Sequence, residues 1–303
     1  MVGTINSVSI VGAGFMGNQI ALQCAAYGKT VWMHDVREEA IQKSRSVDFP
    51  GFLDRMIEGG YTDAGQRQAI LDRVGRTTDL KRAVTDAQLV IEAIQEDVDV
   101  KRETFRQLDE FCPTHAILAT NSSSIRSSRI DPATSRADRV LNTHFVHPIW
   151  KHPFVELMRG SSTSDETLQA VRAFMVSVNV IPVLVRKEST GFIFNRMWRA
   201  VKKEALRVVD QGIGTVEDVD RTWMIQMETP MGPLGLMDTI GLDVVRDIEM
   251  VYYEESGDPS DKPPQVLLDK IARGHLGVKT GQGFYTHPNP SWQSPDFLKQ
   301  ASP

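Results

Sequence analysis

The 303-residue sequence predicts an α/β protein, with a doubly wound, mostly parallel sheet followed by an all-α domain. Three observations carry this reading. Short apolar runs alternate with segments of helical spacing from Ser7 to Val185. A glycine-rich turn links the first strand to the first helix. Beyond about Lys187 strand-like runs stop and helical periodicity takes over.

Taken in order, Val8, Ile10 and Val11 read as a buried strand. Gly12, Gly14 and Gly17 then form GxGxxG, and Ile20, Ala21, Cys24 and Ala25 recur at helical spacing. Thr30 to His34 is a second strand that ends at Asp35. The glycines allow a tight turn, approach of a pyrophosphate to the backbone, and close packing of helix on sheet. The helix N-terminus offers unpaired N–H groups and a positive dipole end to phosphates. Asp35 can accept hydrogen bonds from the adenosine ribose and would repel a 2′-phosphate, so NAD is expected over NADP. Nearby Arg37 weakens that preference without reversing it. These are the marks of a Rossmann dinucleotide site.

Glu38 to Arg73 is charged and helical in pattern, with breaks expected at Pro50-Gly51 and Gly59-Gly60, and reads as a helical hairpin projecting from the sheet. Val74 to Thr78 reads as a strand and Leu80 to Ala83 as a helix. The strand Ala87 to Ala93, the helix Lys101 to Phe111 and the strand Ala116 to Thr120 follow. Arg139 to Phe145, Phe154 to Met158 and Ile181 to Val185 complete the sheet. From Gly191 the chain is expected to be helical, with further helices over Val216–Met227 and Leu242–Glu254. The expected domains are 1–187, binding the dinucleotide, and 188–303, all-helical and serving substrate binding and dimerisation.

The net charge of -5 gives no nucleic-acid footprint. No apolar run is long enough to span a bilayer, and MVGTINS leads into a strand with no signal-peptide apolar region. A cytoplasmic enzyme with a small-molecule substrate, and neither nucleic-acid nor membrane partner, is expected. The two cysteines, Cys24 and Cys112, frame neither a disulfide scaffold nor a zinc site, and no metal is expected.

In open α/β sheets ligands bind at the carboxyl ends of strands. Ser123 follows one such end, and His144 closes the strand RVLNTHF. Glu156 lies between Val155 and Leu157, where a carboxylate needs a partner. His144 can supply it. A Glu–His pair fixes the imidazole tautomer and lets the ring take a proton from an alcohol as hydride leaves the same carbon. Each residue has a plainer role open to it: His144 a structural histidine, Glu156 a partner for an arginine, Ser123 a turn cap.

Seven motifs in order then carry a resemblance: GAGFMG with Asp35, VIEAIQEDVDVK, TNSSS, THFVHP followed by VELM, STGFIFNR, ETPMGPLGLMDTIGLD and GVKTGQGFY. Over nearly its full length the chain resembles the L-3-hydroxyacyl-CoA dehydrogenase family. The resemblance implies a helical second domain that dimerises. It implies His144 as general base, Glu156 as its orienting carboxylate, and Ser123 and Asn195 as holders of the substrate oxygen. Gly12, Gly14, Phe15, Met16, Gly17, Asp35, Glu96, Lys101, Ser123, His147 and Lys279 fall at or near cofactor positions.

The chain departs from the family in places. His147 stands where members usually have asparagine, and Thr190 where they have proline. Lys151-His152-Pro153 replaces a VMK-like stretch. Gly51 and Glu58 fall where the helical arm usually offers CoA a serine and a lysine. The expected reaction is NAD-dependent interconversion of a 3-hydroxyacyl-CoA and a 3-oxoacyl-CoA. A free small 3-hydroxy acid, as in gulonate or carnitine dehydrogenases, is an alternative substrate. A non-catalytic crystallin-like protein is the remaining one.

Overall fold

The structure, a computed structural model, describes residues 4–299. Two compact units divide the chain after Ile193.

In the first unit, β1 (Ser7–Val11) leads into α1 (Phe15–Ala26) and β2 (Thr30–His34). Neighbouring residues on a strand point to opposite faces. Ile10 and Ile91 accordingly join one core cluster, while Val11 and Val90 join the other. With both faces covered, the strands read as continuous apolar runs. The sheet has eight strands in the order β3-β2-β1-β4-β5-β6-β7-β8. The remaining strands are β3 (Val74–Thr77), β4 (Leu89–Glu92), β5 (Ile117–Thr120), β6 (Val140–Phe145), β7 (Phe154–Arg159) and β8 (Ile181–Val185). Every neighbouring pair is parallel except β6 and β7. Their connection, residues 146–153, is too short for a crossover and therefore returns the chain antiparallel.

The segment after β2 corrects the expectation. Helix α2 (Glu38–Lys43) passes through a π-helical stretch, Ser44–Asp48, directly into α3 (Phe49–Glu58). Pro50-Gly51 does not break the helix. The proline sits in the first turn of α3, and the widened turn before it absorbs the hydrogen bond that its missing N–H cannot make. Nor does the hairpin stand away from the sheet. Phe49, Phe52, Leu53 and Met56 are buried in the same core as Ile20 and Leu22 of α1. After α4 (Arg67–Asp72) come α5 (Leu80–Val84), α6 (Val98–Phe111) and α7 (Asp165–Ser177).

The end of the first unit is corrected as well. Gly191 and Phe192 both have positive φ, 76° and 54°, so helix α8 starts only at Phe194 and runs to Asp210. Phe192 is buried with Met158 and Val185, and does not lie on a helix face open to a partner.

The second unit adds α9 (Val216–Met227), α10 (Pro233–Ile240), α11 (Leu242–Ser256) and α12 (Gln265–Ala272). Leu206, Leu234, Met237, Leu242, Val245 and Leu267 form its core. Met224 of α9 is buried as well. Three cations of α8 find carboxylates in α11 and in the segment after it. Arg199 and Lys202 meet the buried Glu249 of α11 at 3.0 and 3.2 Å, and Lys203 meets Asp261. Two buried carboxylates organise the rest. Asp220 accepts the N–H groups of Leu234 and Gly235 at the start of α10, each at 2.8 Å, and the Tyr285 hydroxyl at 2.9 Å. Asp238 accepts the N–H groups of Phe284 and Tyr285, also at 2.8 Å. The long motifs PMGPLGLMD and GQGFY therefore wrap two anions that would otherwise be buried unpaired.

Candidate active site

The glycine-rich turn has the shape a dinucleotide needs. A Cβ on Gly12, at φ 113°, would lie 2.4 Å from the Ala93 carbonyl oxygen. One on Gly17 would lie 1.9 Å from the Gly12 oxygen, so α1 could not pack on β1. Above Gly14 there is open space, and no side chain caps the N-terminus of α1. Its N–H groups are left for phosphate oxygens. Beside it lies a cavity of about 440 Å³ whose walls include Gly12, Gly14, Asp35, Val36, Ile94 and Thr104. Asp35 Oδ2 accepts the Ala13 N–H at 3.1 Å and Oδ1 the Arg37 N–H at 3.0 Å. These bonds fix the carboxylate at the cavity wall, and its remaining lone pairs suit ribose hydroxyls. Phe15 is about half exposed at the turn, while Met16 packs against the core.

His144 and Glu156 are direct partners across the antiparallel β6–β7 ladder. Directly opposed residues share a face, and His144 Nδ1 lies 2.9 Å from Glu156 Oε2. Both are buried, Glu156 at 1 % exposure and His144 at 7 %. Glu156 Oε1 accepts the Ile193 N–H at 2.8 Å. With Nδ1–H donated to the carboxylate, the tautomer leaves the Nε2 lone pair as acceptor. The Phe192 ring lies 4.8 Å from the imidazole and limits its rotation. Positive φ at Phe192 is what turns that ring inward, and the aromatic residue itself gave no sign of it in the sequence.

Ser123 is exposed on the loop after β5. Asn121 Oδ1 accepts the Phe145 N–H at 2.9 Å, tying this loop to the residue beside His144. Under the loop lies a network of which sequence reasoning named only Glu96 and Lys101, as neighbours of the cofactor. Lys101 is wholly buried and donates to Glu92 Oε1 at 2.6 Å; it also meets Glu96 Oε2 at 3.3 Å. Thr120 Oγ1 donates to Glu92 Oε2 at 2.7 Å. Glu96 in turn accepts from the Ser122 hydroxyl and from the Ser124 N–H and hydroxyl. Burial acts to raise the Glu96 carboxyl, but Ser122, Lys101 and Ser124 outweigh it and hold it below the usual value. Lys101 therefore lies behind Glu96, within the protein, and Glu96 holds the serine loop. The missed signal was Glu92 itself: a charge inside the apolar run LVIE demands a partner, and removing one member of such a pair costs about 3–5 kcal/mol.

Asn195 lies in the first turn of α8 and Lys279 pairs with Asp243 at 2.5 Å, both in the second unit. His147 is exposed in the β6–β7 loop, its ring edge-on to Phe15 at 5.2 Å. Among the described residues no cluster of His, Cys, Asp or Glu is placed to hold a metal ion, and no helix is long and apolar enough to cross a membrane.

A doubly wound sheet with this glycine turn, followed by a helical unit, defines a dinucleotide-dependent oxidoreductase. Comparison with known proteins narrows the class. The profile of the 3-hydroxyacyl-CoA dehydrogenase NAD binding domain matches residues 7–189, and that of the C-terminal domain matches 191–287. A 3-hydroxybutyryl-CoA dehydrogenase of Mycobacterium tuberculosis is 37% identical over 284 residues, covering 93% of this chain and 99% of its own. The crystal structure of (S)-3-hydroxybutyryl-CoA dehydrogenase from Ralstonia eutropha superposes with a TM-score of 0.88 at 36% identity, covering 94% of this chain and all of the other. A diketoreductase structure, described for its catalysis on dicarbonyl compounds, gives 0.83 at 31% identity over 94% of this chain and all of its own. The chain belongs to the 3-hydroxyacyl-CoA dehydrogenase family, and its cofactor is NAD.

Proposed function

We propose that the protein interconverts a 3-hydroxyacyl-CoA and the 3-oxoacyl-CoA. The observation that carries this is the buried His144–Glu156 pair, at 2.9 Å, at the carboxyl end of β6 in a sheet that also bears the dinucleotide turn. Bound NAD supplies the hydride acceptor. His144 Nε2 takes the proton of the 3-hydroxyl as C3 is oxidised, and in reverse returns it to the developing alkoxide. Glu156 stabilises the imidazolium and, through Ile193, fixes its own second oxygen. Ser123 and Asn195 orient the substrate oxygen in this reading, and Glu96, held by Lys101, keeps the Ser123 loop in place.

His144→Gln tests the assignment. It should lower kcat with acetoacetyl-CoA by about 100-fold or more and leave NAD affinity nearly intact. Near-normal turnover would show that another group is the base.

The free 3-hydroxy-acid reading has one observation in its favour. On the helical arm Lys43 pairs with Asp48 at 3.2 Å and Arg67 with Asp54 at 3.1 Å, so two of its five cations are already engaged by carboxylates. Arg55→Glu should still raise KM for acetoacetyl-CoA. The domain roles proposed here are NAD binding by the first unit, and substrate binding with dimerisation by the second. A cytoplasmic location accords with two free, buried cysteines.

A further inference from the structure

We infer that the β6–β7 loop, residues 146–153, together with Arg55 forms a seat for a terminal oxyanion of the substrate, either a phosphate or a carboxylate. This rests on the assignment of His144, at the end of β6, as the reacting group.

The loop carries His147, Lys151 and His152 and no acidic residue. It is a built feature. Ile149 and Trp150 are buried in the main core and pin it from below. Pro148 O accepts the N–H groups of both Lys151 and His152, at 3.1 and 2.9 Å, so one tight turn presents both side chains outward. The arm is clamped to the same place. Phe52 packs edge-on against Phe15 at 5.4 Å and against Trp150 at 6.0 Å. The Arg55 guanidinium lies over the Phe52 ring at 5.2 Å, and the His147 ring stands edge-on to Phe15 at 5.2 Å.

The aromatic cluster of Phe15, Phe52 and Trp150 thus touches a cation of the arm and an imidazole of the loop. Among the described residues none of Arg55, His147, Lys151 and His152 has a carboxylate partner, whereas Lys43, Arg67, Arg136 and Arg159 of the same unit do. Desolvation first, then the charges of Lys151 and His147, push the His152 imidazole down, as expected where like charges share one field. Arg55 and Lys151 offer positive charge and the two imidazoles offer N–H donors, the groups that an oxyanion takes. A 3-oxoacyl substrate brings one as the CoA phosphates or, if free, as its carboxylate.

The test is the double variant Lys151→Gln/His152→Gln. Both residues are exposed, so the fold should be kept. KM is measured with acetoacetyl-CoA, with acetoacetate and with the neutral thioester acetoacetyl-N-acetylcysteamine. We expect KM to rise roughly tenfold for an anionic substrate and to stay unchanged for the neutral one. A rise with acetoacetyl-CoA identifies a phosphate, and a rise with acetoacetate identifies a carboxylate. Equal effects on all three, or none, overturn the seat. Calorimetric titration of CoA and of acetoacetate reads it without turnover. If wild type binds neither, or the variant binds both as well as wild type does, the seat is overturned. If His144→Gln turns over normally while the variant loses affinity, the base assignment fails and the seat stands.

Discussion

At the scale of single residues, the site is built from groups whose second bond fixes what their first can do. Asp35 spends one lone pair of each oxygen on the backbone N–H groups of Ala13 and Arg37, which fixes the carboxylate at the wall of the cavity beside the glycine turn. A 2′-phosphate there would meet a like charge at close range. NAD should therefore exceed NADP in kcat/KM by at least about 100-fold, and Asp35→Ser should narrow that gap. Comparable kcat/KM values for the two cofactors in the unaltered protein would refute this role. Much of this scale was legible in the sequence. The glycines, Asp35, His144 and Glu156 each stand at a strand end or inside an apolar run, where a charge needs a reason. Phe192 and Lys101 were not legible in the same way. The first depends on an uncommon backbone conformation, the second on a partner nine residues away on another element.

At the scale of elements, the second unit shows what a buried carboxylate does for helix placement. Asp220, on α9, holds the first turn of α10 and the Tyr285 hydroxyl. Burial raises its carboxyl to about 6, against the pull of those three donors. The folded value lies above the unfolded one of 3.8, so the native state holds an extra proton between about pH 4 and 6. Stability from this group is therefore greatest below that window and declines as pH rises through it. Urea midpoints measured at pH 4 and pH 7 should show this decline in the unaltered protein, and Asp220→Asn should reduce it. An identical pH dependence in both proteins would refute the assignment. The strands and most helices were legible from periodicity. The starts of α3 and α8 were not, because Pro50-Gly51 read as a break and Gly191 as a helix start, whereas a π-helical stretch and a left-handed pair set the true boundaries.

At the scale of the whole molecule, the second unit keeps apolar surface that its own core does not use. A cavity of about 750 Å³ is walled by Val201, Val208, Ile213, Val219, Trp223 and Met227. Ile213, Ile225 and Met227 are exposed, as are Val244, Ile248 and Val251 at helical spacing along α11. We expect a two-fold dimer through this unit, since closed two-fold pairs are the commonest way to cover such a face. Light scattering at micromolar concentration should give twice the chain mass, and a monomer would refute it. The change of periodicity near Lys187 pointed to two parts, and the compact units divide after Ile193. Which apolar residues stay exposed was not, because the sequence of one helix does not show which of its faces a neighbour will cover.

The π-helical stretch between α2 and α3 has a rotational consequence. An α-helix advances about 100° per residue, so an extra residue in one turn makes everything after it lag by about that angle. In an uninterrupted α-helix, Asp48 and Arg55 would share the azimuth of Ile41, which is buried. The lag instead brings Phe49, Leu53 and Met56 to that azimuth and swings Arg55 out to the rim. One residue's worth of angular phase thus decides whether the arm turns a cation towards the core or towards the solvent.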